Sequence, residues 1–262
     1  MNRYKALIEY DGSKFNGWQK QAGQRTVQGA LLSALEYALP KDKVDVQGAG
    51  RTDAGVHAVG QVAHLDCDSA IDPQILHYKM NDNLPAAVNI LSIKRVSREF
   101  HARHSAQQRI YVYQISKRRT AFGKNYTWWI KDKLNVQAIT NAAAYYVGFH
   151  DYKSFANAAD VKEEKSTKVQ VDFVEVKEVG DYILVRIAAS HFLWKMVRRM
   201  IAVLVEVGRG NMRPDIITTF LTSYEKGVSQ FTAPPSGLFL EQVLYPGDTR
   251  KEELKPFLMI GE

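Results

Sequence analysis

Cysteine is almost absent from this sequence, since Cys67 is the only one among its 262 residues. No disulfide can therefore form within the chain, which is typical of proteins from a reducing compartment. Apolar runs are short, and none approaches the roughly 20 residues that a membrane-spanning helix needs. The first residues alternate as a strand does and lack the apolar core of a signal peptide. We expect a soluble, cytoplasmic protein with no membrane partner.

The composition is that of a globular protein with a basic surface. Hydrophobic residues make up 45% of the chain and charged residues 24%, which suits one large or two small domains. The formal net charge is +7, which favours a polyanionic partner. Charge alone is weak support for this, because many basic proteins bind no polyanion.

Two common phosphate-binding motifs are missing from the one glycine-rich stretch, residues 48–64. A dinucleotide fingerprint would need a third glycine where Asp53 stands, and a P-loop would need a closing Gly-Lys-Ser/Thr. A metal site is poorly supported, because His57 and His64 lack the spacing of a zinc-binding helix and no second cysteine is present. What remains is one carboxylate, Asp53, with Arg51 two residues before it. The stretch predicts a reactive site, with a plain turn between strands as the alternative.

The first 100 residues alternate between strand and helix patterns. We predict strands over residues 4–10, 44–47, 61–66 and 88–96, and helices from Thr26 to Pro40 and from Asp72 to about residue 81. The resulting order, βαββαβ, is that of a ferredoxin-like fold. The two middle strands are separated by the glycine-rich stretch where a short hairpin would have sufficed, which again indicates a site.

The pattern then starts again. We predict strands over residues 109–115, 169–177, 181–188 and 238–244, and helices over 136–147, 192–207 and a short segment after Pro214. Two copies of one architecture predict an α+β fold with two ferredoxin-like (βαββαβ) domains, residues 1–104 and 105–262, each with an antiparallel sheet.

Two adjacent arginines on the helix over residues 192–207 are predicted to face different ways. Arg199 shares a stripe with Lys195, Ala202 and Glu206, which we expect to face water. Arg198 shares a ridge with residues that include Trp194, Ile201 and Val205, so its guanidinium is expected to be drawn into protein. A buried arginine needs a carboxylate or phosphate partner, and the alternative is that Arg198 reaches out to water or serves a structural carboxylate.

The segment Gly50-Arg51-Thr52-Asp53-Ala54-Gly55-Val56-His57-Ala58 resembles the signature of the TruA family of tRNA pseudouridine synthases. The resemblance covers nearly the whole chain. Further matching segments are residues 10–21, 26–29, 100–103, 148–151, 196–199 and 237–240.

The resemblance implies an isomerase that converts uridine to pseudouridine at positions 38 to 40 of the tRNA anticodon stem-loop. It implies a basic active-site cleft flanked by the two sheets, with Asp53 as the catalytic carboxylate and Arg198 as its ion-pair partner. Tyr111 would stack on the target base and Leu238 would lie against it. Further contacts with RNA are implied for residues that include Arg51, Arg25 and Lys14. No cofactor or metal is implied, and the partners are tRNA and a second copy in a homodimer.

Two other functions compete with this one. A non-catalytic RNA-binding module of the same fold would keep the basic surface, although the presence of Asp53, Arg198 and Tyr111 argues against it. A single-aspartate hydrolase acting on nucleosides would release free uracil and would need a small-molecule pocket instead of a basic groove. Whether Asp53 acts as a nucleophile or as a base towards the ribose stays open at this stage.

Overall fold

The computed structural model of the protein describes residues 1–157, 161, 163 and 166–258. The fold is mixed α+β with mostly antiparallel strands, and it contains two compact units. The first unit consists of Met1–Gln107 with Phe239–Thr249, and the second of the described residues in 108–238 and from Arg250 onward. In these described ranges no helix has the length and apolar character needed to cross a membrane.

Ten strands and five α-helices lie in the described residues. The strands are β1 (Asn2–Tyr10), β2 (Val44–Gly48), β3 (His57–Cys67), β4 (Val88–Val96), β5 (Gln108–Ser116), β6 (Trp128–Trp129), β7 (Gly148–Asp151), β8 (Lys168–Val179), β9 (Tyr182–Ala189) and β10 (Leu238–Leu244). The helices are α1 (Val27–Ala38), α2 (Pro73–Asn81), α3 (Val136–Ala143), α4 (Met196–Gly208) and α5 (Ile216–Thr222).

The first unit is organised around β3, which has neighbours along both edges. Strands β4, β1 and β3 are adjacent and antiparallel, and β2 pairs antiparallel with the second half of β3. Strand β10 pairs parallel with the first two residues of β3, where Phe239 is opposite His57. Helix α1 packs beside α2 and β2, and α2 packs beside β4. Alternate residues of β1 are buried up to Tyr10, so this strand contributes one face to a core.

The predicted helix starts of this unit are confirmed, and their capping residues explain them. The Thr26 hydroxyl accepts a hydrogen bond from the Gly29 N–H (3.3 Å), and the Asp72 carboxylate accepts one from the Gln74 N–H (2.8 Å). Each bond satisfies a backbone donor that has no partner within the first helical turn. The predicted strand over 88–96 is confirmed at both ends, whereas β3 begins at His57, four residues before the predicted start.

In the second unit the strand order is β5-β9-β8-β7, with antiparallel pairing between neighbours, and β6 runs parallel beside β5. The predicted strands over 109–115, 169–177 and 181–188 are confirmed, with each end within two residues of its predicted position. The two-residue β6 and the four-residue β7 were not predicted, because segments this short carry no measurable periodicity.

Strand β5 is buried along most of its length, and the C-terminal segment explains one of its covered faces. Leu254 is buried against Val112 of β5 together with Leu184 of β9. The backbone of this segment is also held in place, since the Phe257 N–H donates to Gln114 Oε1 (2.7 Å). Both faces of β5 therefore pack against protein, which fixes the strand that carries Tyr111.

The predicted orientation of α4 is wrong for Arg199. This residue and Ala202 are buried, with 6% and 5% of their surfaces exposed, where the sequence pattern placed both in water. Arg199 Nη1 donates to the carbonyl oxygens of Phe155 (2.9 Å) and Ala156 (2.5 Å). These carbonyls belong to the last residue of a short 3-10 turn, Lys153–Phe155, and to the residue after it. Backbone oxygens, and not water, therefore accept the hydrogen bonds of the guanidinium.

We predict that Arg199→Met destabilises the protein by about 1–3 kcal/mol, because two buried carbonyl oxygens lose a charged donor. Urea unfolding measures the change. Arg213→Met is the matched control, since the Arg213 side chain is 86% exposed and its pair with Asp215 is worth roughly 0–1 kcal/mol. An Arg199→Met midpoint equal to that of the control would contradict the structural role.

Candidate functional site

Asp53 lies in the connection between β2 and β3, residues 49–56, and its side chain is partly buried. The neighbours on either side differ in exposure, because Thr52 is buried whereas Arg51 and Ala54 are exposed. The Val56 N–H donates to the Asp53 carbonyl (3.1 Å), which closes a tight turn directly before β3. The carboxylate thus lies on a short segment, a few residues before β3 begins.

A second segment, residues 12–18, holds this connection through its backbone. The Trp18 N–H donates to the Thr52 carbonyl (3.1 Å), and the Gly55 N–H donates to the Phe15 carbonyl (3.3 Å). Gly17 has a φ of +87°, and a Cβ on it would lie 2.7 Å from the Thr52 carbonyl oxygen. Only glycine allows both that backbone conformation and that approach. The two bonds bracket Asp53 on both sides.

Buried polar side chains anchor the ends of the same connection. Tyr10 Oη and Thr52 Oγ1 share a hydrogen bond of 2.8 Å. The Gln61 amide donates to the Gly50 carbonyl (3.0 Å), and the Gly12 N–H donates to His57 Nδ1 (3.1 Å). These bonds join residues far apart in sequence, so the connection is fixed by tertiary contacts as well as by its own turn.

The surroundings of His57 and Tyr10 indicate structural roles for both side chains. His57 is 1% exposed, and its ring stacks on Phe239 with centroids 4.7 Å apart. Burial raises the pKa of Tyr10 to about 12, so its phenol is neutral at physiological pH. Within the described ranges, no group of three or more His, Cys, Asp or Glu side chains is arranged to hold a metal ion.

Three of the predicted RNA-contacting cations lie on segments connected to Asp53. Arg51 is exposed on the same connection, and Lys14 is exposed at the end of the 3-10 turn Gly12–Lys14. The Arg25 carbonyl accepts a hydrogen bond from the Asn16 N–H (2.8 Å), and its guanidinium lies 4.9 Å from the centroid of the Phe15 ring. The first unit therefore carries a carboxylate with exposed positive charge on linked backbone segments.

The second unit holds the predicted tyrosine and arginine. Tyr111 is 8% exposed on β5, and the Phe192 ring meets it edge-to-face with centroids 5.2 Å apart. Tyr113, two residues along, donates to the Pro234 carbonyl (2.8 Å). Burial raises the pKa of Tyr113 well above its usual value, and the positive charge of Arg198 acts in the opposite direction. This places Arg198 within electrostatic range of Tyr113.

Arg198 is partly buried and is positioned by the segment before β10. Its Nε donates to the Ala233 carbonyl (2.7 Å), and the Ala233 N–H donates back to the Arg198 carbonyl (3.0 Å). Leu238 is 5% exposed and begins β10 a few residues later. The predicted inward ridge is confirmed for Ile201 and Val205, but Trp194 is 51% exposed and precedes the helix, which begins at Met196 and not at residue 192.

Sequence reasoning did not assign the residues that hold the site. Tyr10, Trp18 and His57 anchor the connection around Asp53, and Phe192 fixes the Tyr111 ring. Tyr10 and Thr52 are 42 positions apart, so no local pattern links them. Gly12 and Gly17 could have indicated the contact between residues 12–18 and this connection, because close approach of two backbones requires small residues.

Comparisons with known proteins agree with the resemblance. A family model described as tRNA pseudouridine synthase matches residues 6–105 and 142–246. The curated tRNA pseudouridine synthase A of Pseudothermotoga lettingae is 39% identical over 93% of this chain and 99% of its own length. That of Thermosipho melanesiensis is 40% identical over 94% and 100%. The tRNA pseudouridine synthase A 2 of Bacillus cereus is 34% identical over 93% and 99%.

Solved structures add no argument, since a protein of unknown function from Galdieria sulphuraria is similar over 79% of this chain and 91% of its own, with 13% identity and a TM-score of only 0.21. The sequence matches extend almost from end to end and include the segment around Asp53. The chain therefore belongs to the tRNA pseudouridine synthase family.

Proposed function

We propose that this isomerase converts uridine to pseudouridine at positions 38 to 40 of the tRNA anticodon stem-loop, with Asp53 as the catalytic carboxylate. The observation that carries the proposal is the fixed position of Asp53, whose connection is hydrogen-bonded to residues 15 and 18 on both sides of the carboxylate. A carboxylate held in this way needs no reorganisation when it meets a ribose, which lowers the barrier of the chemical step.

The reaction is balanced without a cofactor. The bond between uracil N1 and ribose C1′ breaks, the same uracil turns, and a bond forms between its C5 and C1′. The proton at C5 leaves and N1 gains one, so the change involves neither a redox step nor a group donor. Asp53 acts either as a nucleophile or as a base towards the ribose.

The other proposed roles follow from charge and shape. The target uridine must leave its stack, which costs a few kcal/mol. Stacking on Tyr111 and contact with Leu238 offset part of this cost, and the exposed Lys14, Arg25 and Arg51 bind RNA phosphates. We assign to Arg198 the role of counter-charge to Asp53, since a guanidinium can pair with a carboxylate through two donors.

The proposal also includes the architecture and assembly. We assign the ferredoxin-like arrangement to both domains, residues 1–104 and 105–262, with a basic active-site cleft flanked by their sheets. In the first unit its support is the antiparallel order β4-β1-β3-β2 with helices after β1 and β3. A homodimer acting on cytoplasmic tRNA completes the proposal, and sedimentation of the active enzyme tests the dimer.

We predict that Asp53→Asn binds unmodified tRNA within about 3-fold of wild type yet forms no pseudouridine, because phosphate contacts persist while the reactive charge is lost. Asp82→Asn, an exposed carboxylate beyond α2, is the matched control and should behave as wild type. The measurements are tRNA affinity, mapped pseudouridine and free uracil. Comparable turnover by Asp53→Asn contradicts the assignment, binding without product by the wild type indicates an RNA-binding module, and released uracil indicates a hydrolase.

Arg198→Met is expected to lower the single-turnover rate by at least about 100-fold, with a much smaller loss of tRNA affinity. The reason is that the proposed counter-charge acts on the reacting carboxylate. Arg213→Met is again the exposed control, and Arg199→Met is unsuitable because that arginine is buried. Equal losses of rate and affinity in Arg198→Met would indicate a phosphate contact instead.

Gly17→Ala and Gly23→Ala separate local strain from positioning of Asp53. Both glycines have positive φ, +87° and +69°, so both substitutions strain the backbone by about 1–2 kcal/mol. Only a Cβ on Gly17 meets the Thr52 carbonyl, since nothing lies within 4 Å of one on Gly23. We therefore expect both variants to lose stability but only Gly17→Ala to lose most of its turnover. Equal turnover in the two variants would show that this contact does not position the carboxylate.

A further inference from the structure

Trp194 is an exposed aromatic residue directly before α4. The side chain is 51% exposed, whereas Met196, two residues later, is fully buried at the start of α4. Burying an indole is among the most favourable contributions that one side chain makes to folding. The exposure of Trp194 thus leaves a large flat apolar surface at the entrance to the helix that carries Arg198.

The backbone next to Trp194 is held in an uncommon conformation. Lys195 has φ of 62° and ψ of 5°, and among the described residues no other non-glycine residue has a positive φ. This left-handed conformation is unfavourable for a residue with a Cβ, and such residues occur preferentially at functional sites. The bend lies between the exposed Trp194 and the first residue of α4.

A positive charge lies next to the indole. The Lys195 ammonium lies 4.5 Å from the centroid of the Trp194 ring, and in the described part of the chain no carboxylate forms an ion pair with it. The sequence from residue 187 to 205 contains Lys195, Arg198 and Arg199 but neither aspartate nor glutamate. An aromatic platform beside a lysine ammonium is a combination that binds unpaired nucleotides, by stacking and by phosphate contact.

The platform is connected to the proposed position of the target base. Phe192, two residues before Trp194, contacts the ring of Tyr111, which we assigned to the target uridine. We propose that Trp194 stacks on an unpaired base flanking the target uridine while Lys195 binds the adjoining phosphate. This inference rests on the proposed function. The site then recognises a displaced strand, and not the target base alone.

The test compares Trp194→Leu, which keeps apolar bulk, with Trp194→Phe, which keeps an aromatic face. Binding is measured in the Asp53→Asn background with unmodified tRNA transcript, so that the readout is independent of chemistry. We expect the Leu variant to bind about 5- to 100-fold more weakly and the Phe variant to stay within about 3-fold. Tyr37→Leu, a 71% exposed aromatic residue on α1, is the control and should not change binding.

Transcripts with a single abasic nucleotide scanned through the anticodon arm locate the contact. At one position flanking the target, removal of the base should weaken binding to the parent, which is the Asp53→Asn protein with Trp194 intact. At that position Trp194→Leu should cause no further loss of affinity. Equal affinity of the Leu variant and its parent, or an unchanged Leu effect on every abasic transcript, overturns the proposal. Pseudouridine formation by the wild-type protein is scored separately, so the proposed function and the stacking role can fail independently.

Discussion

Two backbone hydrogen bonds fix the position of the one carboxylate in the glycine-rich stretch. Trp18 N–H to Thr52 and Gly55 N–H to Phe15 join residues 12–18 to the connection between β2 and β3, with Asp53 between the bonded residues. Main-chain bonds depend on the close approach of two backbones, which Gly17 permits. The fold therefore sets the position of the main chain that carries the carboxylate.

Local sequence patterns predicted most of the helices and strands but not the tertiary contacts between them. Helix α1 has a capping threonine and a regular apolar face, and β4 alternates between buried and exposed residues from Val88 to Leu91, so both could be read from periodicity. The glycines marked the segment of Asp53. The bond between Tyr10 and Thr52 could not be read in this way, because it joins residues whose proximity depends on the pairing of β1 with β3.

Arg199 shows why a helical stripe of charges is an unsafe guide to exposure. The stripe was expected to face water because three of its four residues, Lys195, Arg199 and Glu206, are ionisable. In the structure the acceptors are the carbonyl oxygens of Phe155 and Ala156, at the end of the 3-10 turn Lys153–Phe155. No periodicity in the sequence reports the position of such an irregular segment. A sequence pattern shows only which side chains could pair with an arginine. The backbone also offers it a carbonyl acceptor at every residue.

The two units hold their proposed functional residues by different means. In the first, backbone bonds and a neutral, buried Tyr10 hold the segment of Asp53. In the second, the carbonyls of Ala233 and Pro234 hold Arg198 and Tyr113 directly by their side chains. Because these two carbonyls lie a few residues before β10, the chain that enters β10 links the placement of Arg198 to that of Leu238. A shift of that segment would move both groups together.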